Sequence, residues 1–140
     1  MTIVRRNPPG LHPTPGYHHV TVVEASPMAY LAGQCPLDAD GALVGEGDLA
    51  AQTDQVITNS LTALAAVAAA PDDVVRSVIY VASADRSDLA AVWERLTGSD
   101  LGGAFTTAST LLGVTCLGFP GQLVELDLTA ALPKTETKPD

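Results

Sequence analysis

Basic side chains are scarce in this sequence: 7 Lys and Arg stand against 16 Asp and Glu, giving a formal net charge of −9. They are also dispersed, at Arg5, Arg6, Arg76, Arg86, Arg95, Lys134 and Lys138. A field of that sign repels nucleic acid and anionic membrane surfaces, so neither is expected as a partner. Cysteine is nearly absent. Cys35 and Cys116 make no disulfide framework, and with no CxxC or Cys/His cluster neither a metal nor another cofactor is expected. No apolar run approaches the ~18 residues of a membrane span. The opening residues hold two arginines and then Asn7-Pro8-Pro9-Gly10, with no signal-like apolar stretch, so a cytoplasmic location is expected. Repeats and interdomain linkers are missing too, which leaves one domain over residues 1–140.

Apolar residues make up 46% of the chain and charged residues 16%, with a mean hydropathy of +0.22. That is more apolar surface than a monomer of this size needs to bury, and self-association is the simplest outlet for it. Residues 1–16 contain Pro8, Pro9, Pro13 and Pro15 and read as an extended arm. Tyr17–Glu24 and Met28–Gly33, separated by a turn at Ala25-Ser26-Pro27, read as the first two strands of a meander. Asp48 is placed to cap a helix from Leu49 to about Ala70, with Ile57, Leu61, Leu64 and Ala68 on one face and Pro71 ending it. Val74–Ala82 reads as a strand. A second helix, capped by Ser87 and closed by Gly98, carries Leu89, Val92, Trp93 and Leu96 on its apolar stripe. Trp93 there reads first as core. Beyond Leu132 the chain is polar, and 133–140 is expected to fray.

The richest stretch is Thr106–Ala130, two apolar runs joined by Gly118-Phe119-Pro120-Gly121. A proline–glycine reversal suggests that the runs pair antiparallel, which would bring Ser109 close to Glu125. In the second run Val124, Leu126 and Leu128 alternate with Glu125, Asp127 and Thr129. Period-two alternation puts the apolar set on one face and both carboxylates on the other. An acidic face of this kind is either a solvated surface or a lined cleft.

Several segments, in order and spacing, carry a likeness: Gly16-Tyr17-His18-His19-Val20; Ala32-Gly33-Gln34-Cys35-Pro36; Ala108-Ser109-Thr110-Leu111-Leu112-Gly113-Val114; and Pro120-Gly121-Gln122-Leu123-Val124-Glu125. Over more than a hundred residues the chain resembles the RidA/YjgF family of small trimeric proteins, known as enamine/imine deaminases and also labelled L-PSP endoribonucleases. The resemblance implies an α+β fold, a mixed sheet with two helices on one face, assembled as a homotrimer with clefts at subunit interfaces. It implies Glu125 as the catalytic carboxylate and Tyr17 at the cleft mouth. Gly33 would hold substrate through its backbone, Leu111 would line the cleft, and Trp93 would stand where some relatives carry a polar cleft residue.

One departure bears on chemistry. Where deaminating relatives have Pro-Ala-Arg, this chain has Thr107-Ala108-Ser109. A hydroxyl supplies neither the fixed charge nor the paired donors of a guanidinium. A cleft of Tyr17, Gly33, Ser109, Leu111 and Glu125 holds no cation, so neutral or cationic ligands are expected over carboxylates. Three functions stay open: an enamine/imine hydrolase of altered range using Glu125 and water, a non-catalytic metabolite-binding or regulatory trimer, and a biosynthetic-pathway enzyme reusing the interface cleft. The roles of His18 and His19 are left open, with strand-surface packing favoured, and His12 reads as an exposed polar residue.

Overall fold

Strict alternation in the last strand sets the layers. In the computed structural model, which describes residues 2–133, Val124, Leu126, Leu128 and Ala130 are fully buried, while Glu125, Asp127 and Thr129 turn to the other face. The strands are β1 (Ile3–Arg6), β2 (Val20–Val23), β3 (Met28–Tyr30), β4 (Val74–Val81), β5 (Ala108–Gly113) and β6 (Val124–Ala131); the helices are α1 (Leu49–Ala66) and α2 (Arg86–Thr97). A four-stranded mixed sheet in the order β3-β6-β4-β5 carries both helices on one face. Val56 and Leu64 of α1 and Val92 and Leu96 of α2 meet Ile79, Val81, Leu126 and Leu128 in one core. The architecture is α+β, as the sequence pattern implied.

The final two strands do not pair with each other. β4 lies between them, parallel to β5 and antiparallel to β6. Parallel neighbours need a crossover, and α2 supplies it between β4 and β5. The reversal is present but wide. Pro120 and Gly121, whose φ is 77°, form a tight turn in which Gln122 N donates to Phe119 O at 3.0 Å. The rest of 114–123 straddles the end of β4, with Val114 N on Val81 O (2.8 Å) and Ala82 N on Leu123 O (2.9 Å). Gln52 of α1 holds this connection: its buried amide donates to Gly45 O and Gly121 O, each at 3.0 Å, and accepts from Leu123 N at 2.7 Å.

The expected meander is also replaced. β2 pairs with β1 in a separate two-stranded antiparallel sheet, and β3 pairs with β6. The prolines of the N-terminal arm begin only at Pro8, so Ile3–Arg6 keep their donors and form a strand rather than a loop. The Arg5 guanidinium ties that strand to the domain through Asp72 O (2.8 Å) and Val74 O (3.2 Å). The α2 cap is Asp85, which accepts from Ser87 N at 2.9 Å, rather than Ser87 itself. Past Pro133, the tail expected at 133–140 lies outside the described residues. No helix among the described residues is long and apolar enough to cross a membrane.

Asp48 caps α1 through Ala51 N (3.0 Å), but the helix stops at Ala66, short of Ala70. Ala68 takes the left-handed conformation, φ 56°, and Ala69 N closes back on Leu64 O at 3.0 Å. A β-carbon disfavours this conformation by ~1 kcal/mol or more. Ala68→Gly is therefore expected to raise stability by about 0.5 kcal/mol once glycine's own entropy is counted, read by urea denaturation. Gln52→Leu, which removes the partner of three part-buried backbone groups, is expected to lower it by about 1 kcal/mol or more in the same measurement.

Candidate functional site

Two clusters stand out, one on each face of the sheet. The first is a cavity of about 520 Å³ between α2 and the β5 edge, lined by Tyr17, Arg86, Leu89, Trp93, Ser109 and Leu111 among others. Its helical wall is the stripe Arg86, Leu89, Ala90 and Trp93, at i, i+3, i+4 and i+7. Its strand wall follows from register: Ser109 and Leu111 pair with Ser77 and Ile79, which are buried under the helices. The Tyr17 and Trp93 rings meet edge to face with centroids 6.1 Å apart, and Trp93 meets Phe105 at 6.0 Å. Trp93 is thus both core and cavity wall.

Tyr17 is held against the cavity by its neighbours. The Thr14 hydroxyl donates to Tyr17 O, and the His18 ring bonds Thr106 O. His18 N donates to Thr107 O at 3.3 Å. Thr21 Oγ1 lies 2.6 Å from Thr107 Oγ1 and accepts from Ala108 N at 3.0 Å. His19 stacks edge-on with His12 and Tyr17, at 4.6 and 6.0 Å between ring centroids. These contacts give the histidines packing and hydrogen-bonding work in placing the arm.

Ser109 is already engaged. Its hydroxyl accepts from Ser77 Oγ at 2.6 Å and donates to Thr107 O at 3.0 Å. Its offer to a ligand is correspondingly small.

The second cluster centres on Glu125. Its Oε1 accepts from Cys35 Sγ at 3.1 Å and Gln122 Nε2 at 3.2 Å. The carboxylate lies against Gly33, where an added β-carbon would stand 2.5 Å from Oε2. A β-carbon here would force the Glu125 carboxylate to shift, so glycine permits this close approach. Leu126 N donates to Gln34 O at 3.1 Å and Gln34 N to Leu126 O at 2.7 Å, which fixes the strand end beside Glu125. Asn59 of α1 braces the same loop, donating to Cys35 O at 2.9 Å and Leu37 O at 2.8 Å. Burial, then the hydrogen bond to Glu125 and its negative charge, push the Cys35 thiol up to about 11.

Within one chain the expected meeting of Ser109 and Glu125 does not occur. Ser109 is level with Ser77, whose β6 partner is Leu128, whereas Glu125 is level with Tyr80. The two side chains are offset along the sheet and point to opposite faces, because their β4 neighbours, Ser77 and Tyr80, are an odd number of residues apart. Tyr17, Trp93, Ser109 and Leu111 share the cavity, while Gly33 and Glu125 form a separate cluster. Asp127 lies on the Glu125 face, level with Val78. The cleft expected to hold no cation has Arg86 on its wall. That residue was legible as a continuation of the Leu89–Trp93 stripe by one turn. Cys35 and Gln122 carried no pattern that marked them as Glu125's partners.

The chain thus combines an α+β sheet with a cavity on its helical face and a braced carboxylate on the other. The family model described as Endoribonuclease L-PSP matches residues 10–132. The Rid-family protein YyfB of Yersinia pestis, whose function is unknown, is 35% identical, covers 94% of this chain and 100% of its own, and superposes with a TM-score of 0.85. The yeast protein YEO7 is 26% identical over 93% of this chain and 98% of its own, TM-score 0.65. Rv2704 of Mycobacterium tuberculosis, a YjgF/YER057c/UK114 member, is 26% identical over 94% and 100%, TM-score 0.60. No curated protein matches. The chain belongs to the Rid/YjgF, or L-PSP, family, and that membership supports a protein acting on small metabolites.

The thiols test the Glu125 cluster. Exposed Cys116 is expected to alkylate with iodoacetamide at pH 8 well before Cys35, by tenfold or more in rate, because a Cys35 thiol pushed from 9.0 up to about 11 keeps ~100-fold less thiolate than it otherwise would. Because the folded state favours the protonated thiol, its contribution to stability is full below pH 9 and decays as pH rises through about 11. Peptide mapping of the alkylated cysteines reads the order of reaction.

Proposed function

We infer that this protein hydrolyses an enamine or imine of a small metabolite, with Glu125 orienting the water and Tyr17 donating at the cleft mouth. The observation that carries this reading is the braced carboxylate: Cys35 and Gln122 hold one oxygen of Glu125, and the other lies over the bare backbone of Gly33. A carboxylate so placed can align water for attack on an imine carbon and pass protons to the departing nitrogen. Leu111 and Trp93 would seat the substrate's apolar body. Because the two clusters face opposite ways in one chain, the complete cleft requires a second copy, consistent with a homotrimer. The uncovered sheet face supports such packing, with Tyr30 79% and Leu112 40% exposed beside half-buried Val78 and Tyr80.

A second reading, a metabolite-binding trimer without turnover, draws on Ser109. Its hydroxyl stands where deaminating relatives are expected to carry arginine, and it is bonded within its own chain. The endoribonuclease label fits less well with a net charge of −9 and dispersed basic residues.

Imines of simple amino acids, generated by an amino-acid oxidase and followed by release of free keto acid, are expected to be hydrolysed little faster than without the protein. Robust acceleration would refute the altered range. Ser109→Arg is expected to raise that rate roughly tenfold or more, and Glu125→Gln in the same background to remove the gain. Absence of any gain would favour the binding reading. Light scattering should give three times the 14.4 kDa chain mass, and Val78→Asp on the uncovered face should shift it toward one.

A further inference from the structure

Among the described residues, Arg86 is the one charged side chain on the cavity wall. It sits in the first turn of α2, exposed, and makes no ion pair among the described residues, where the salt bridge present is Arg95–Asp54. The acids nearest to it in sequence are turned to their own loop. Asp85 accepts from Ser87 N at 2.9 Å and from its hydroxyl at 2.8 Å, and Asp88 accepts from Ser83 Oγ at 2.7 Å. The guanidinium is therefore uncommitted among the described residues, at a pocket lined otherwise by apolar and aromatic side chains and by Ser109.

The far end of the pocket is different. Seven residues along α2, roughly 10 Å at helical rise, Trp93 meets Tyr17 edge to face. The volume, about 520 Å³, is that of a small-molecule site. We propose that this cavity binds an elongated carboxylate-bearing metabolite, its apolar or aromatic body between Leu89, Leu111 and Trp93 and its carboxylate on Arg86. A planar guanidinium can take both carboxylate oxygens, so the contact selects charge as well as position. It also replaces the expectation that this cleft disfavours anions. The inference concerns ligand binding in the cavity and does not rest on the chemistry assigned to Glu125.

The chain has one tryptophan, Trp93, so its emission reports directly on the cavity. The probes are 4-phenylbutyrate and the uncharged 4-phenylbutyramide, titrated into the full-length protein. The acid is expected to bind at least about fivefold tighter than the amide, a charge-assisted contact at a partly exposed site. Arg86→Gln should bring the two within about twofold, and Arg86→Lys should keep part of the preference. Circular dichroism confirms that the exposed substitutions leave the fold intact. Equal affinity of acid and amide in the unaltered protein, a preference that survives Arg86→Gln, or no change in Trp93 emission with either probe would overturn the proposal. Neither probe can react, so a protein that hydrolyses imines yet shows no carboxylate preference refutes this inference alone.

Discussion

The pairing of β4 on both sides, parallel to β5 and antiparallel to β6, is the constraint on which the rest of the molecule depends. It places Ser77, Ile79 and Val81 beneath the helices and gives α2 its path from one side of β4 to the other. That path makes the cavity, since α2 must return over β5 and leaves a gap where Leu89, Ala90 and Trp93 face Ser109 and Leu111. The same pairing sends Glu125 to the opposite face. One topological fact therefore creates both clusters and separates them.

Each cluster is braced by groups remote in sequence. Glu125 is held by a thiol and an amide from two loops, and those loops are held in turn by Asn59 and Gln52 of α1. The cavity mouth is held by the β1–β2 sheet, through Thr21 on Thr107 and Ala108 and through Arg5 on the turn before β4. Buried polar groups of this kind cost free energy when unpaired, so each bond also specifies one arrangement of its loop. A static scaffold with two prepared surfaces results.

Membership of the Rid/YjgF family and the departure proposed at Ser109 are compatible if the helical wall supplies the charge, as proposed. A protein can lose a cation on a strand and present one from a neighbouring helix, with a different distance between charge and reacting end. The scarcity of basic residues sharpens this point: among the described residues Arg5, Arg6, Arg76 and Arg95 all lie outside the cavity lining. Arg95 is spent on Asp54 in a two-point contact, and Arg76 donates to Thr110 on the uncovered face.

Local pattern alone was enough for much of the fold. Alternation along Val124–Ala130 told which side of β6 is core, the periodic stripe and Gly98 bounded α2, and Asp48 marked the start of α1, because each of these signals depends on residues within a few positions of one another. The family likeness was legible in the same way, from Gly33-Gln34-Cys35-Pro36 and Pro120–Glu125 read in order. Strand partners were not. A Pro-Gly turn says that the chain reverses but not how many strands the reversal spans, so only the three-dimensional register showed β4 lying between β5 and β6. For the same reason sequence could nominate Glu125, Tyr17 and Ser109, but only tertiary structure decided that Ser109 keeps company with Arg86 and Trp93, and Glu125 with Gly33 and Cys35: contact across a sheet is set by non-local hydrogen bonding, which no short window of residues contains.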